Sequence, residues 1–192
     1  MTHRVIVAIT GASGAALGAR IVERLAGRPG LETHLVISSS GERTLRHEVG
    51  EDAPDRLKRL AAVVHAESNI GASIASGSFA VAGMIVAPCS MRTLAAIAAG
   101  LADNLVVRAA DVQLKERRRL ILLARETPLH LGHLRNMAAV TEMGAIVMPP
   151  VPAFYQLPKT VGEIVDHLAA RAIDLLALPG EQETRQWAGL DR

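Results

Sequence analysis

The feature that most constrains this chain is a series of short, continuous aliphatic runs, each followed at once by small or polar residues and then by a stretch with helical spacing. The runs cover residues 4–10, 33–37, 84–87, 120–124 and 145–148. A strand with one wet face alternates apolar and polar residues, whereas a strand apolar on both sides must be covered on both sides. Parallel sheets between two helical layers meet that demand, because each crossover lays a helix on a face. The predicted fold class is therefore α/β, a three-layer doubly wound parallel sheet. The chain opens in this manner, with a strand over 4–10, a tight turn over 11–14, and a helix over 15–25 whose Leu17, Ile21 and Leu25 share one side. The last predicted helix starts at a capping-box pattern, Thr160 with Glu163, and carries Val161, Ile164, Val165, Leu168, Ala172, Leu175 and Leu176 at helical spacing.

With 192 residues, one core suffices, since a globule of this size buries roughly 70% of its unfolded surface. A single domain is expected over 1–180, with a polar tail or arm over 181–192. The polar stretch 50–69 is the expected place for variable surface structure. The longest nearly apolar run, 79–91, is broken by Gly83, Pro88 and Ser90 and falls short of the ~18 residues of a membrane span. Neither a membrane span nor a secretory signal is expected, so the expected location is the cytoplasm. The lone cysteine, Cys89, has no internal disulfide partner, in keeping with a reducing compartment. The net charge is +2 and the only aromatics are Phe79, Phe154, Tyr155 and Trp187. That leaves almost no stacking platform for single-stranded nucleic acid.

In a doubly wound sheet, ligands bind beyond the carboxyl ends of the strands, so the residues after each run are the candidates. After the first run, Gly11-Ala12-Ser13-Gly14-Ala15 enters a helix N-terminus that suits a phosphate, or serves only as a tight turn. The spacing differs from a dinucleotide fingerprint, and Ser38-Ser39-Ser40 stand where a ribose-binding acid is expected, which favours a mononucleotide over NAD. Pro88-Cys89-Ser90-Met91-Arg92-Thr93 brings two hydroxyls and an arginine to another helix start, for capping or for ligand. Cys89 beside a core strand reads as a small buried hydrophobe rather than a nucleophile. Arg108, Asp111 and Lys115 share a helical face, and Arg125-Glu126-Thr127-Pro128 brings a carboxylate to the strand ends, suited to acid or base work or to an ion pair. Glu126, His130 and His133 also share a face in a helical reading, but their spacing is not that of a metal site. The proline-stiffened loop from Pro149 aims Tyr155, and Arg171 borders the last helix's apolar stripe.

Together, the motifs T-G-A-S-G-A, A-S-G-S (75–78), A-P-C-S-M-R-T-L, R-A-A-D-V-Q-L-K-E-R-R, R-E-T-P-L-H-L-G-H-L-R-N-M and P-P-V-P-A-F-Y resemble the UbiX-type flavin prenyltransferases over residues 4–176. The resemblance implies a Rossmann-like or flavodoxin-like homododecamer that joins dimethylallyl phosphate to reduced FMN at N5 and C6 without a metal. The product, prenylated FMN, serves UbiD-type decarboxylases. It further implies that Gly11, Ala12, Ser13, Ser38, Ser90, Met91, Arg92, Thr93 and Arg125 hold FMN. Tyr155, Arg171, Arg108 and Lys115 match residues around the dimethylallyl phosphate, some acting across a subunit interface. Ser13, Glu48, Lys115 and Glu126 are the implied catalytic set, with the two glutamates handling protons, and Trp187 matches a tryptophan that covers the site. Ser39 departs from the family's usual lysine. The related flavin-dependent cysteine decarboxylases carry a P-A-S-A-N motif and a catalytic histidine that are absent at the matching places. Two rival functions are direct decarboxylation of aromatic acids and non-catalytic carriage of flavin.

Overall fold

The computed structural model describes residues 2–180, 182–184, 187 and 189. The remainder of the tail expected over 181–192 lies outside the described residues. Among those described, six strands form one parallel sheet: β1 (His3–Ile9), β2 (Leu31–Ile37), β3 (Val63–His65), β4 (Gly83–Cys89), β5 (Arg119–Ala124) and β6 (Ile146–Val147). Their order across the sheet is β3-β2-β1-β4-β5-β6, the dinucleotide-fold order rather than the flavodoxin one. The helices are α1 (Ala15–Leu25), α2 (Ser39–Glu48), α3 (Ala53–Leu60), α4 (Met91–Ala98), α5 (Leu105–Lys115), α6 (Leu131–Glu142) and α7 (Val161–Asp174).

Successive strand residues face opposite sides, so the unbroken aliphatic runs build two cores. Val5, Val7 and Ile9 pack with Leu17 and Ile21 of α1, Leu45 of α2, Leu57 of α3 and Leu168 and Ile173 of α7. Ile6, Ala8, Met84 and Val86 pack with Leu94 of α4, Leu105 and Val106 of α5 and Val140 of α6. The helices that follow β1 and β4 thus leave to opposite faces, and a crevice opens where those adjacent strands part. Close contact sharpens it: a Cβ on Gly18 would lie 2.1 Å from the Ala87 carbonyl oxygen, so α1 rides directly on β4.

All five expected strands are present, but α3 and β3 replace the variable surface expected over 50–69. Both lack an apolar run. α3 buries only Ala53, Pro54 and Leu57, and β3 is three residues long at the sheet edge.

The β2–β3 edge holds a polar network. Arg4 Nε donates to Glu32 Oε2 at 3.3 Å, His34 Nε2 lies 3.0 Å from Glu32 Oε1, and His34 Nδ1 lies 2.9 Å from His65 Nε2. Burial pushes both imidazoles below their ordinary 6.5, outweighing the pull of Glu32 on His34 and aided at His65 by His34 itself. The unfolded chain therefore takes up protons more readily than the native one. Stability to urea is expected to be full above about pH 6.5 and to fall as pH drops below it. His34→Gln should flatten that dependence between about pH 8 and 5.5; an unchanged slope would remove the pair as its source.

Candidate active site

The β1–α1 turn depends on a left-handed residue. Gly14 has φ 103° at the N-cap of α1 and offers no side chain to cap the helix, a conformation that glycine adopts without a Cβ clash. The cap comes instead from α2. One carboxylate oxygen of Glu48, the last residue of α2, accepts from the N–H groups of Gly14 and Ala15, each at 2.8 Å, and the Ser13 hydroxyl donates to the same side chain. The N-terminus read as suited to a phosphate is thus filled by a carboxylate of the chain itself. Burial pushes the Glu48 carboxyl up, but the Ser13 hydroxyl, the two N–H groups and the Arg125 guanidinium together hold it below its ordinary 4.5. At the other end of α2, a Cβ on Gly11 would lie 2.3 Å from Ser40 Cβ, so the turn is wedged against that helix as well.

After β2 and β4 the hydroxyls act as helix caps. Ser38 Oγ accepts from Gly41 N at 3.0 Å, and Ser90 Oγ accepts from Thr93 N at 3.2 Å while lying 3.0 Å from Thr93 Oγ1. Thr10 locks the crevice floor, with its Oγ1 donating to the Pro88 carbonyl at 2.7 Å and accepting from Ser90 N at 2.9 Å. Met91 opens α4, and Arg92 is exposed there and paired with Asp103. The Cys89 thiol is fully buried and pushed up to about 12 by that burial, which suits a packing residue and not a nucleophile at neutral pH.

After β5, Arg125 turns its charge toward Glu48, while the exposed Glu126 accepts from the N–H of Thr127 at 3.1 Å. Glu126 does not share a helix with the two histidines. α6 begins at Leu131, with His130 as its N-cap, because Pro128 and the residue before it cannot continue a helix back to Glu126. The His130 and His133 rings stack at 3.5 Å between centroids. Among the described residues, no group of three or more His, Cys, Asp or Glu is placed to hold a metal ion.

After β6, the loop from Pro149 and the outer face of α7 enclose a cleft of about 580 Å³, lined by Tyr155, His167, Arg171 and Trp187 among others. Tyr155 and Trp187 meet edge to face, ring centroids 5.9 Å apart. Arg108 and Lys115 do not join this cleft within one chain. Arg108 donates to the Ala75 carbonyl at 3.2 Å and to Asp111 at 2.8 Å. Lys115 ends α5, just before β5 begins, and contacts Glu116 at 2.5 Å, toward the amino ends of the strands. Sequence reasoning missed Thr10, Asp103 and Glu67, whose carboxylate accepts from Ser39 N at 3.0 Å. Each lies in a loop or at a strand end with no periodicity to mark its partner.

This fold, with its crevice at the β1–β4 divide, defines a doubly wound α/β protein of the class that binds ligands beyond the carboxyl ends of its strands. The sequence model of the Flavoprotein family matches residues 1–172. The chain is 52% identical over 186 residues, covering 97% of it and 94% of the relative, to a flavin prenyltransferase UbiX of Thauera aromatica. It superposes with a TM-score of 0.91, at 45% identity and full coverage of both chains, on AnUbiX crystallised with FMN and dimethylallyl pyrophosphate. A dodecameric FMN-dependent UbiX-like decarboxylase from Escherichia coli O157:H7 gives the same TM-score at 47% identity, covering 97% of this chain and 100% of that one. The chain belongs to the Flavoprotein family and, within it, to the UbiX-type flavin prenyltransferases.

Glu48, ionised below its ordinary value, stabilises the native state above about pH 4.5, and that contribution is lost as pH falls through its folded value. Glu48→Gln is therefore expected to be less stable than the parent at about pH 7, with the gap closing below about pH 4.5. Urea titrations of both proteins across that range measure it, and a gap constant with pH would show that Glu48 does not act through its charge.

Proposed function

We propose that this chain is a flavin prenyltransferase that joins the dimethylallyl group of dimethylallyl phosphate to N5 and C6 of reduced FMN and releases phosphate, without a metal. The observation that carries this reading is a cleft that presents Tyr155 and Arg171 after β6, on the carboxyl-end side of the sheet where Ser13, after β1, is hydrogen-bonded to Glu48, at the end of α2. Reduced FMN, when bound, supplies the nucleophilic positions. Gly11, Ala12 and Ser13 line its place after β1, Ser38 after β2, Ser90, Met91, Arg92 and Thr93 after β4, and Arg125 after β5.

The residues then divide the work by charge. Phosphate becomes a fair leaving group when cations and hydroxyl donors hold its developing charge. Tyr155 and Arg171 do so from this chain, and Arg108 and Lys115 from a neighbouring one. Glu126, exposed at the strand ends, gives a proton to the departing phosphate as the C–O bond breaks and is reprotonated by the proton lost at N5. Closing the second bond adds one proton to the allyl double bond and removes one from C6, an exchange that the Ser13 hydroxyl relays with Glu48 ionised before and after. Aromatic faces at Tyr155 and Trp187 favour positive charge on the allyl group by up to ~2 kcal/mol once water is excluded.

The remaining features fit a homo-oligomer, which we read as a dodecamer. Leu131 on α6 and Phe154, Leu157 and Val161 after β6 are 59%, 71%, 71% and 76% exposed, apolar surface that burial between subunits would remove from water. Among the described residues no helix is long and apolar enough to cross a membrane, which suits a cytoplasmic enzyme that passes its product to a UbiD-type decarboxylase.

Anaerobic incubation with reduced FMN and dimethylallyl phosphate, followed by mass spectrometry of the released flavin, should show a gain of one dimethylallyl unit. Glu126→Gln should slow that step by about 10²-fold or more while FMN remains bound. Unmodified FMN from the parent protein, with binding confirmed, would leave decarboxylation or carriage; carbon dioxide release from an aromatic acid would single out the former.

A further inference from the structure

Glu183 and Thr184, beyond the turn that follows α7, are pinned to α7 and α1 by charged contacts. Left-handed backbone at Ala177 (φ 53°) and Gly180 (φ 118°) turns the chain back on itself after α7. The returning residues meet Asp174, the last residue of α7. Its Oδ1 accepts from Glu183 N at 2.6 Å, and its Oδ2 accepts from Thr184 N at 3.1 Å and from the Thr184 hydroxyl at 2.5 Å. The Glu183 side chain, only 14% exposed, accepts in turn from Arg24 and Arg28. Arg24 is itself oriented, its Nε and Nη2 forked on Asp166 of α7 at 3.0 and 2.7 Å, which leaves Nη1 for Glu183. Gln182 and Thr184 line the same cleft as Tyr155 and Arg171, and so does Trp187, three residues on from Thr184. A carboxylate with three donors and a second carboxylate with two guanidinium groups are charge-assisted contacts, stronger than neutral ones.

We propose that Asp174 and Glu183 form a latch that holds Gln182 and Thr184 in one wall of the dimethylallyl phosphate cleft, so that Trp187 faces Tyr155. Asp174 is then a positioning residue for prenyl transfer, acting through Thr184 and Trp187 rather than by touching the substrate. The proposal rests on the reading of this cleft as the dimethylallyl phosphate site. The latch lies outside the FMN crevice, so its loss alters capture of the prenyl donor and not of the flavin.

Trp187 is the sole tryptophan in the sequence, so intrinsic fluorescence reports on this segment alone. Asp174→Asn, Glu183→Gln and Thr184→Val should each shift Trp187 emission to longer wavelength and increase its quenching by acrylamide. Each should raise the KM for dimethylallyl phosphate, by about tenfold for Asp174→Asn, with FMN affinity unchanged. Trp187→Ala should reproduce the KM rise, and combining it with Asp174→Asn should add little further, because the two lie on one path. Emission and quenching equal to the parent's in all three latch variants would overturn the proposal, as would effects of Asp174→Asn and Trp187→Ala that add in full. A parent protein that binds FMN but does not prenylate it would overturn the assigned reaction, and the quenching comparison would still decide the latch.

Discussion

The Glu48 carboxylate at the N-terminus of α1 is the contact on which the rest of the site depends. It satisfies two N–H groups that Gly14 leaves without a side-chain cap, and it does so from the far end of α2, one strand further along the chain. The turn after β1 and the end of α2 are thereby fixed to each other, with Gly11 against Ser40 as the second point of contact. A negative charge placed there also decides where a phosphate does not go. Two anions at one helix N-terminus repel, and the dipole of one helix supplies only ~0.3–1 kcal/mol toward either. On the function proposed above, phosphate groups are received instead where cations stand, around Arg125 and in the Tyr155–Arg171 cleft.

The same economy of donors runs through the crevice. Ser38 and Ser90 each cap a helix, a contact worth about 1 kcal/mol, and each also stands at the carboxyl end of a strand, where ligands bind. A hydroxyl has one proton to give and two lone pairs to accept with. Ser90 accepts from Thr93 N, and Ser38 accepts from Gly41 N. A hydroxyl occupied in this way is held in one rotamer before any ligand arrives, and Thr10 fixes the backbone beneath it. Preorganisation of this kind reduces the ordering cost of binding.

The sheet was legible in the sequence because every long strand is apolar on both sides, and the two cores confirm why. α3 and β3 were not, since Ala53, Pro54 and Leu57 make too narrow a stripe among charged residues and Val63–His65 pairs on one side only. The strand-end motifs at Ser38, Ser90 and Arg125 were legible as places, since a doubly wound sheet sends them to one edge. Their partners were not. Nothing in the local pattern links Glu48 to Gly14, 34 residues earlier, or Thr10 to Ser90. A helical reading carried back from His133 through Glu126 failed because it ignored the proline between them, whose ring disfavours helix in the residue before it.

On the function proposed above, Arg108 and Lys115 would tie the chemistry to assembly. Both lie on α5, Arg108 held by Ala75 and Asp111 and Lys115 by Glu116, and neither lines the cleft of its own chain. Among the described residues that line the cleft, Arg171 is the one guanidinium, a single positive charge against a phosphate dianion. If that imbalance is met by α5 of another chain, the isolated subunit is an incomplete enzyme, and the exposed apolar residues on α6 and the β6 loop have a reason beyond stability. Lys115 and Glu116 are 46% and 34% exposed in their side chains, so their pairing is a weak surface contact. A phosphate arriving from a neighbouring chain can therefore take the ammonium group at little cost, while the carboxylate of Glu116 returns to water.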